Sequence, residues 1–331
     1  MGVGLGHFPS AYGEAQAEYF ASGKASETEE YVAGNPEYGF NEFLQIAIES
    51  GVISLCLFIA MLFFAIKGLI KKKQNGILGS LVALLVFACF SYPFSILPFA
   101  ILFVFLLSMG NANRTQITQK SQINAKRKFN FAIIRVFCVI CVLTIIYKQY
   151  PVYGAYKQWN KSRMYYQTGM YGEVAEKYEP LYPYLKDQIN FLFEYGRSLS
   201  QAGMNDGIAG LARNETMAQG IPRQARNDKL VKSNEILRQA MKISCDPMLY
   251  NIMGRNYQAM KEYDLAEKTL LKSTQIVPNR LYPWYLLMKL YVETGDDEKA
   301  RETAGIVLTK EPAVREMREE AEKIRNYKLL G

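Results

Sequence analysis

The residues best placed for chemistry stand in one short stretch, Pro36 to Gly51, just before the first strongly apolar segment. Phe40, Phe43, Leu44, Ala47 and Ile48 recur at helical spacing and make an apolar stripe, which predicts a helix. Asn41, Glu42, Gln45 and Glu49 make its polar face, with two carboxylates that run straight into the apolar segment. An acidic face held against a bilayer surface suits work on a lipid-linked substrate. A solvated juxtamembrane helix is the other reading of the same residues.

Other chemistries find little support. His7 is the only histidine, so no Cys/His zinc site can be assembled, and no metal or cofactor is expected. Of the five cysteines, Cys56, Cys89, Cys138 and Cys141 lie in apolar spans and Cys245 stands alone in the polar tail. The C-x-x-C spacing of Cys138 and Cys141 falls on a membrane helix and reads as packing. Gly2, Gly4 and Gly6 resemble a nucleotide loop only superficially. No Gly-Lys-Ser/Thr follows and no strand precedes, so the glycines serve a tight backbone path instead.

The elements that must position the acidic stretch are membrane helices. Val52–Ile70 is the first expected span, closed by Lys71-Lys72-Lys73. Residues 77–109 are too long for one straight span and are broken by Pro93 and Pro98, which suits a hairpin with spans near 77–90 and 94–109. A fourth span is expected near 131–147, with Arg135 snorkelling to the headgroups. The basic connections at 71–73 and 114–128 belong on the cytoplasmic side. Counting spans then places residues 1–50 and everything after Tyr147 on the outer face. The resulting plan is 1–50 outside, 51–148 transmembrane, and 149–331 an exported tail. No basic and apolar leader opens the chain.

The tail is a repeat array. From Pro247, the positions Tyr250, Met253, Gly254, Tyr257, Ala266, Leu270, Ser273 and Pro278 match the tetratricopeptide pattern. From Leu281, one full repeat further on, Trp284, Leu287, Tyr291, Gly295, Ala300 and Pro312 match it again. Earlier repeats are expected near Ala155 and Ile189. The second of these is interrupted: its first helix should end near Gly203 and its partner resume around Ser233. The residues between, near 204–230, include the near-duplicate Ala212-Arg213-Asn214-Glu215 and Ala225-Arg226-Asn227-Asp228. They read as an insertion in an inter-helix turn. The fold class is thus all-α: about four membrane spans followed by a helical-repeat solenoid.

A composition of 50% hydrophobic and 21% charged residues averages these two unlike parts. The net charge of +8 is not a nucleic-acid footprint, because the basic residues are not gathered on one soluble face.

The stretch around Asn41 resembles the end of the large periplasmic loop in the O-antigen ligase and polymerase family. Asn41, Gly51 and Ser54 fall on that family's spacing, but its histidine position holds Phe40. Gly2-Val3-Gly4-Leu5-Gly6-His7-Phe8 with Tyr12 resembles the opening of the same loop. Ser91–Pro98 resembles the last periplasmic turn of members with a tetratricopeptide tail. The resemblance implies transfer of a glycan from undecaprenyl diphosphate to lipid A core, a polysaccharide or a protein, at the bacterial inner membrane. It implies a base at the histidine position. Phe40 cannot serve, so Glu42, beside Asn41, is the first choice, with Glu37 and His7 as substitutes. Family members carry more spans and arginines that steady the diphosphate, and residues 1–50 hold no arginine. The resemblance therefore implies a truncated chain, inactive alone. The alternative is a membrane-anchored tetratricopeptide scaffold that binds a protein partner on its repeats.

Overall fold

A computed structural model describes residues 2–111, 125–212, 223–310 and 314–326, and every regular element among them is helical. In chain order the helices are α1 (Phe8–Ala21), α2 (Glu27–Val32), α3 (Glu42–Ser50), α4 (Val52–Lys71), α5 (Asn75–Phe90), α6 (Leu97–Asn111) and α7 (Ala125–Gln167). They continue with α8 (Tyr171–Tyr178), α9 (Tyr182–Leu185), α10 (Ile189–Ala212), α11 (Arg223–Met241), α12 (Pro247–Met260), α13 (Tyr263–Ile276), α14 (Leu281–Thr294), α15 (Asp297–Thr309) and α16 (Arg315–Asn326). The chain divides into two compact units, Met1–Phe8 with Pro36–Tyr153, and Pro9–Asn35 with Gly154–Gly331. Residues 9–35 therefore group with the repeats, not with the rest of the 1–50 segment.

In the first unit, α3 and α4 are separated by Gly51, whose φ of 89° and ψ of 165° suit glycine alone. α4 is 20 residues long with a mean hydropathy of 2.5, and is the one helix among the described residues long and apolar enough to cross a bilayer. Its flanks carry exposed apolar side chains, among them Ile53, Leu57 and Phe64. α5 and α6 are 16 and 15 residues long, and the turn at Pro93–Ser95 joins them as a hairpin. The expectation of four spans is thus met at full length only by Val52–Lys71. The two prolines leave the 77–90 and 94–109 segments short of a full crossing. The expected span at 131–147 falls inside the 43-residue α7, where nearly all side chains lie outside the described residues. Leu62, Leu69, Leu81, Leu84, Phe103 and Leu106 form this unit's core.

The second unit is an array of helix hairpins. Gly254 of α12 meets Leu270 of α13, and Ser273 near the far end of α13 bonds Asn251 near the start of α12, so the pair is antiparallel. Gly196 against Leu237 and Gly203 against Leu230 make α10 and α11 antiparallel too. α14 and α15 pack likewise, and α16 follows on α15. The hairpin ends are fixed locally. Asp246 caps α12 with Pro247 at its first turn, and Gly295 ends α14 in the left-handed region at φ 77°. The corresponding left-handed residue, at the end of α12 one repeat earlier, is Lys261. Buried amides lock neighbouring hairpins together: Asn256 accepts from Ser200 Oγ at 2.6 Å and donates to Ser233 Oγ and Asn234 Oδ1 at 2.9 and 2.7 Å.

The interruption in the α10–α11 hairpin differs from the sequence expectation. The first helix does not end near Gly203 but runs on to Ala212, and its partner begins at Arg223 rather than near Ser233. Gly203 is not a helix stop; it is the notch into which fully buried Leu230 packs. The inserted residues therefore lengthen both helices, and only 213–222 lie outside the described residues.

Candidate functional site

The sequence singled out Asn41, Glu42, Glu37 and His7, and the first unit holds all four. Asn41 is the N-cap of α3: its Oδ1 accepts from Leu44 N at 3.0 Å, and its Nδ2 donates to the Cys89 carbonyl at 3.0 Å. An Asn directly before an apolar periodic run is a capping signal legible without any structure. Glu42 follows at the first turn and is 5% exposed. Its Oε1 accepts from Phe94 N at 2.6 Å, inside the Pro93–Ser95 turn. Burial pushes this carboxyl above its ordinary value, while the backbone N–H groups of Phe94 and Ser95 pull against that shift. Asn41 and Glu42 thus tie α3 to the end of α5 and to the following turn.

The glycine-rich opening is held to the same helix. Val3 N and Gly4 N donate to the carbonyls of Ile48 and Glu49 at 2.9 Å. A Cβ at Gly2 would lie 2.2 Å from the Glu49 carbonyl oxygen, so the backbone approach there requires glycine. Glu49 Oε1 accepts from Phe8 N at 3.4 Å and from Gln45 Nε2 at 3.3 Å. His7 is half-buried and Glu37 exposed, and neither shares a hydrogen bond with Glu42 among the described residues. Tyr92 stacks on Tyr38 at 4.9 Å and meets the edge of Phe40 at 5.7 Å. The rings beside the carboxylate turn are aromatic, and among the described residues no cation pairs with Glu42. No cluster of metal-ligating side chains occurs among the described residues.

The second unit offers a different kind of site, one that sequence reading had left without residues. Its first helices, the last turns of α7 followed by α10, α12 and α14, lie side by side. Trp159 Nε1 and Arg163 Nε on α7 donate to Glu194 on α10 at 2.8 and 2.9 Å. Tyr178 OH donates to the same carboxylate at 2.9 Å, which satisfies a glutamate only 4% exposed. Burial, and then the nearby carboxylate, raise the Tyr178 hydroxyl far above its ordinary value. Gln258 on α12 donates to Glu293 on α14 at 2.5 Å. Partly exposed side chains recur along one side of α10 and α14: Phe193, Arg197, Gln201 and Met204 on α10, and Tyr282, Tyr285, Lys289 and Val292 on α14. The tetratricopeptide period would have located this stripe, because equal positions in successive repeats share a face.

On another side of the repeats, α1 is seated by small residues. Gly13 lies against Cys245 so closely that a Cβ would fall 2.0 Å from the cysteine Cβ, and Ala17 is fully buried. Ser10 Oγ donates to the Met241 carbonyl at 2.9 Å, and Gln16 Nε2 to the Ile276 carbonyl at 2.5 Å. Lys272 pairs with Glu14 at 2.6 Å. A cleft of about 760 Å³ beside α1 is lined by Glu14, Tyr250, Met253, Tyr257, Leu265 and Lys268 among others.

No family model matches the chain, and no curated protein matches it. Among solved structures, the chain is similar to a thermophilic TPR (tetratricopeptide repeat) protein from Thermus thermophilus. The alignment covers 51% of this chain and 98% of that one, at 15% identity and a TM-score of 0.31. At that level the repeat assignment rests on this chain's own period and packing.

Proposed function

We propose that this chain is a membrane-anchored helical-repeat scaffold, with α4 as anchor and the α7–α16 array as the surface that takes a protein partner. The observation that carries this reading is the side-by-side layer of α10, α12 and α14, each presenting partly exposed side chains between buried neighbours. Regular stacking of this kind gives an extended binding face rather than an enclosed pocket. Glu42 supports the scaffold over a glycan transferase. Its carboxylate holds the Pro93–Ser95 turn, whereas a general base must reach its substrate hydroxyl. On this reading the α5–α6 hairpin and the 131–147 part of α7 serve as further membrane segments. The repeats then lie on the face opposite Lys71–Lys73, the outer side of a bacterial inner membrane, in keeping with the basic loop.

The test is photocrosslinking in cells that make the protein, with the reactive residue at Gln201 or Tyr282 on the stripe, or at Glu37 near the membrane. A scaffold gives discrete protein adducts from the stripe positions. Absence of adducts there, together with restored glycan transfer by the chain in a ligase-null strain that is lost in Glu42→Gln, would replace the scaffold with the transferase.

A further inference from the structure

A basic residue stands at the same place in each helix of the layer: Arg163 on α7, Arg197 on α10, Arg255 on α12 and Lys289 on α14. Arg163 and Arg197 are one repeat period apart, as are Arg255 and Lys289. The interval from Arg197 to Arg255 is wider because the inserted residues of the α10–α11 hairpin fall within it. Burial singles out the same positions. Arg197 is the one residue not buried between Glu194 and Ser200, Arg255 the one between Leu249 and Tyr257, and Lys289 the one between Leu286 and Tyr291. In α10, α12 and α14 a cation is thus the one side chain turned to water along the middle of the helix.

The helices touch in sequence, so the four cations form a row. Arg163 reaches Glu194 on α10, Arg197 Nη1 lies 3.4 Å from Tyr166 OH on α7, and Arg255 Nη2 lies 3.6 Å from Met204 Sδ on α10. With packed helices about 8–10 Å apart, the row advances by roughly that distance per step. Three of the cations lie over rings, Arg163 on Trp159, Arg197 on Tyr166 and Lys289 on Tyr285, at 5.6, 5.9 and 5.5 Å. Arg163 is paired with Glu194. Among the described residues, Arg197 and Arg255 make no ion pair. At the end of the row, Glu320 of α16 already lies on such a unit: Tyr285 OH donates to its carboxylate at 2.5 Å, with Lys289 Nζ at 3.9 Å.

We propose that this row is the docking face for an acidic polypeptide segment, whose carboxylates meet Arg197 and Arg255 as Glu320 meets Lys289 and Tyr285. The proposal rests on the scaffold reading and gives its partner a chemistry. Single cations one helix-spacing apart suit separate monoanions along a chain. In a polyproline-II-like segment, with three residues per turn at about 3.1 Å each, that spacing puts an acidic residue at every third position on one face. A phosphate would call instead for several donors converging on one point, commonly backbone N–H groups at a helix start, and mid-helix positions supply none.

The experiment is fluorescence anisotropy with the full chain in nanodiscs of zwitterionic lipid. The probe is a labelled extended peptide with glutamate at every third position, and its glutamine counterpart is the control. The glutamate peptide should bind and the glutamine peptide should not, with affinity falling as salt is raised. Arg197→Gln and Arg255→Gln should each weaken binding about threefold and together about tenfold. Arg255→Lys should hold it within that range, and Lys268→Gln on α13 should leave it unchanged. Equal binding of the two peptides, unchanged binding by the double variant, or an equal loss from Lys268→Gln would overturn the proposal. Tighter binding of anionic vesicles or of a single-stranded oligonucleotide to the same arginines would overturn it too. Stripe adducts in cells without glutamate-peptide binding would sink this proposal and leave the scaffold standing; glutamate-peptide binding without such adducts would do the reverse.

Discussion

Gly254 on α12 faces Leu270 on α13 with no room for a side chain: a Cβ there would meet the Leu270 Cγ at 2.6 Å. The same relation recurs at Gly196 with Leu237 and at Gly203 with Leu230, at 2.9 and 3.1 Å to the leucine Cγ. Leu270, Leu237 and Leu230 are fully buried and held by their neighbours, so the helices must move apart for any substituent. Gly254→Val is expected to destabilise the repeat unit by about 1–3 kcal/mol through overpacking. A thermal melt followed by far-UV circular dichroism reads the loss. Gly305, with open space around its Cβ position, is the control, and Gly305→Ala should hold or raise the melting temperature.

Glu194 should be the most damaging single truncation in the array. Glu194→Ala leaves Trp159 Nε1, Tyr178 OH and Arg163 without their shared acceptor. Leaving the buried Trp159 and Tyr178 donors without an acceptor costs about 1–3 kcal/mol each, while Arg163, half exposed, regains water. Glu194→Gln keeps one acceptor oxygen and should lose less. Urea unfolding of the three proteins, with tryptophan fluorescence as the probe, orders them native, Gln, Ala.

The repeat period, the antiparallel hairpins and the small-residue notches were legible because each follows from helical spacing and side-chain size. What escaped has physical reasons. Gly203 has the composition of a helix stop, yet its missing Cβ serves Leu230 on another helix, which no local pattern reveals. Residues 9–35 mix acidic and polar side chains with alanines and a few aromatics, so no strong apolar period says which unit they join. Their fit depends on Gly13 and Ala17 meeting Cys245 and its surroundings, at the far end of the chain. Glu42 was read, through the family resemblance, as a proton acceptor. Its accepted proton belongs to the Phe94 amide, well beyond the next helix turn in sequence, and only the folded turn shows that.

Glu42→Ala is expected to loosen the Pro93–Ser95 turn, since Phe94 N loses its acceptor at a cost of about 1–3 kcal/mol. Protection from hydrogen exchange at Phe94 and Ser95 in nanodiscs should fall accordingly. The pH dependence has a definite sign. The folded carboxyl titrates above its ordinary value, so its contribution is fully present at low pH and is lost as pH rises through the raised value. Protection at the turn, corrected for the intrinsic exchange rate, should therefore be weaker at pH 8 than at pH 5 in the native chain. Glu42→Gln should abolish that difference.

The alkaline side is governed by the repeats. Burial pushes the Cys245 thiol up to about 11 from 9.0, and it raises the neighbouring Tyr250 hydroxyl as well. Both groups are neutral in the fold. Their contribution is present below the unfolded values and disappears as pH climbs through the folded ones. The melting temperature of the native chain should fall steeply from pH 9 to 11, and Cys245→Ala should flatten the lower part of that fall. Slow alkylation of Cys245 by a maleimide at pH 7 would accompany the same burial.

The seating of α1 also sets an order of events in the life of the chain. A helical-repeat array folds mainly through neighbours close in sequence, and such contacts form early and fast. Ser10 bonds Met241 and Gln16 bonds Ile276, contacts that close loops running through most of the chain. At about 5–20 residues per second of synthesis, α1 waits tens of seconds for the surface it covers. During that interval α4 has already been made and must find its own apolar surroundings. α1 thus leaves the ribosome long before its seat exists, and the face around Cys245 stays open until the helix reaches it.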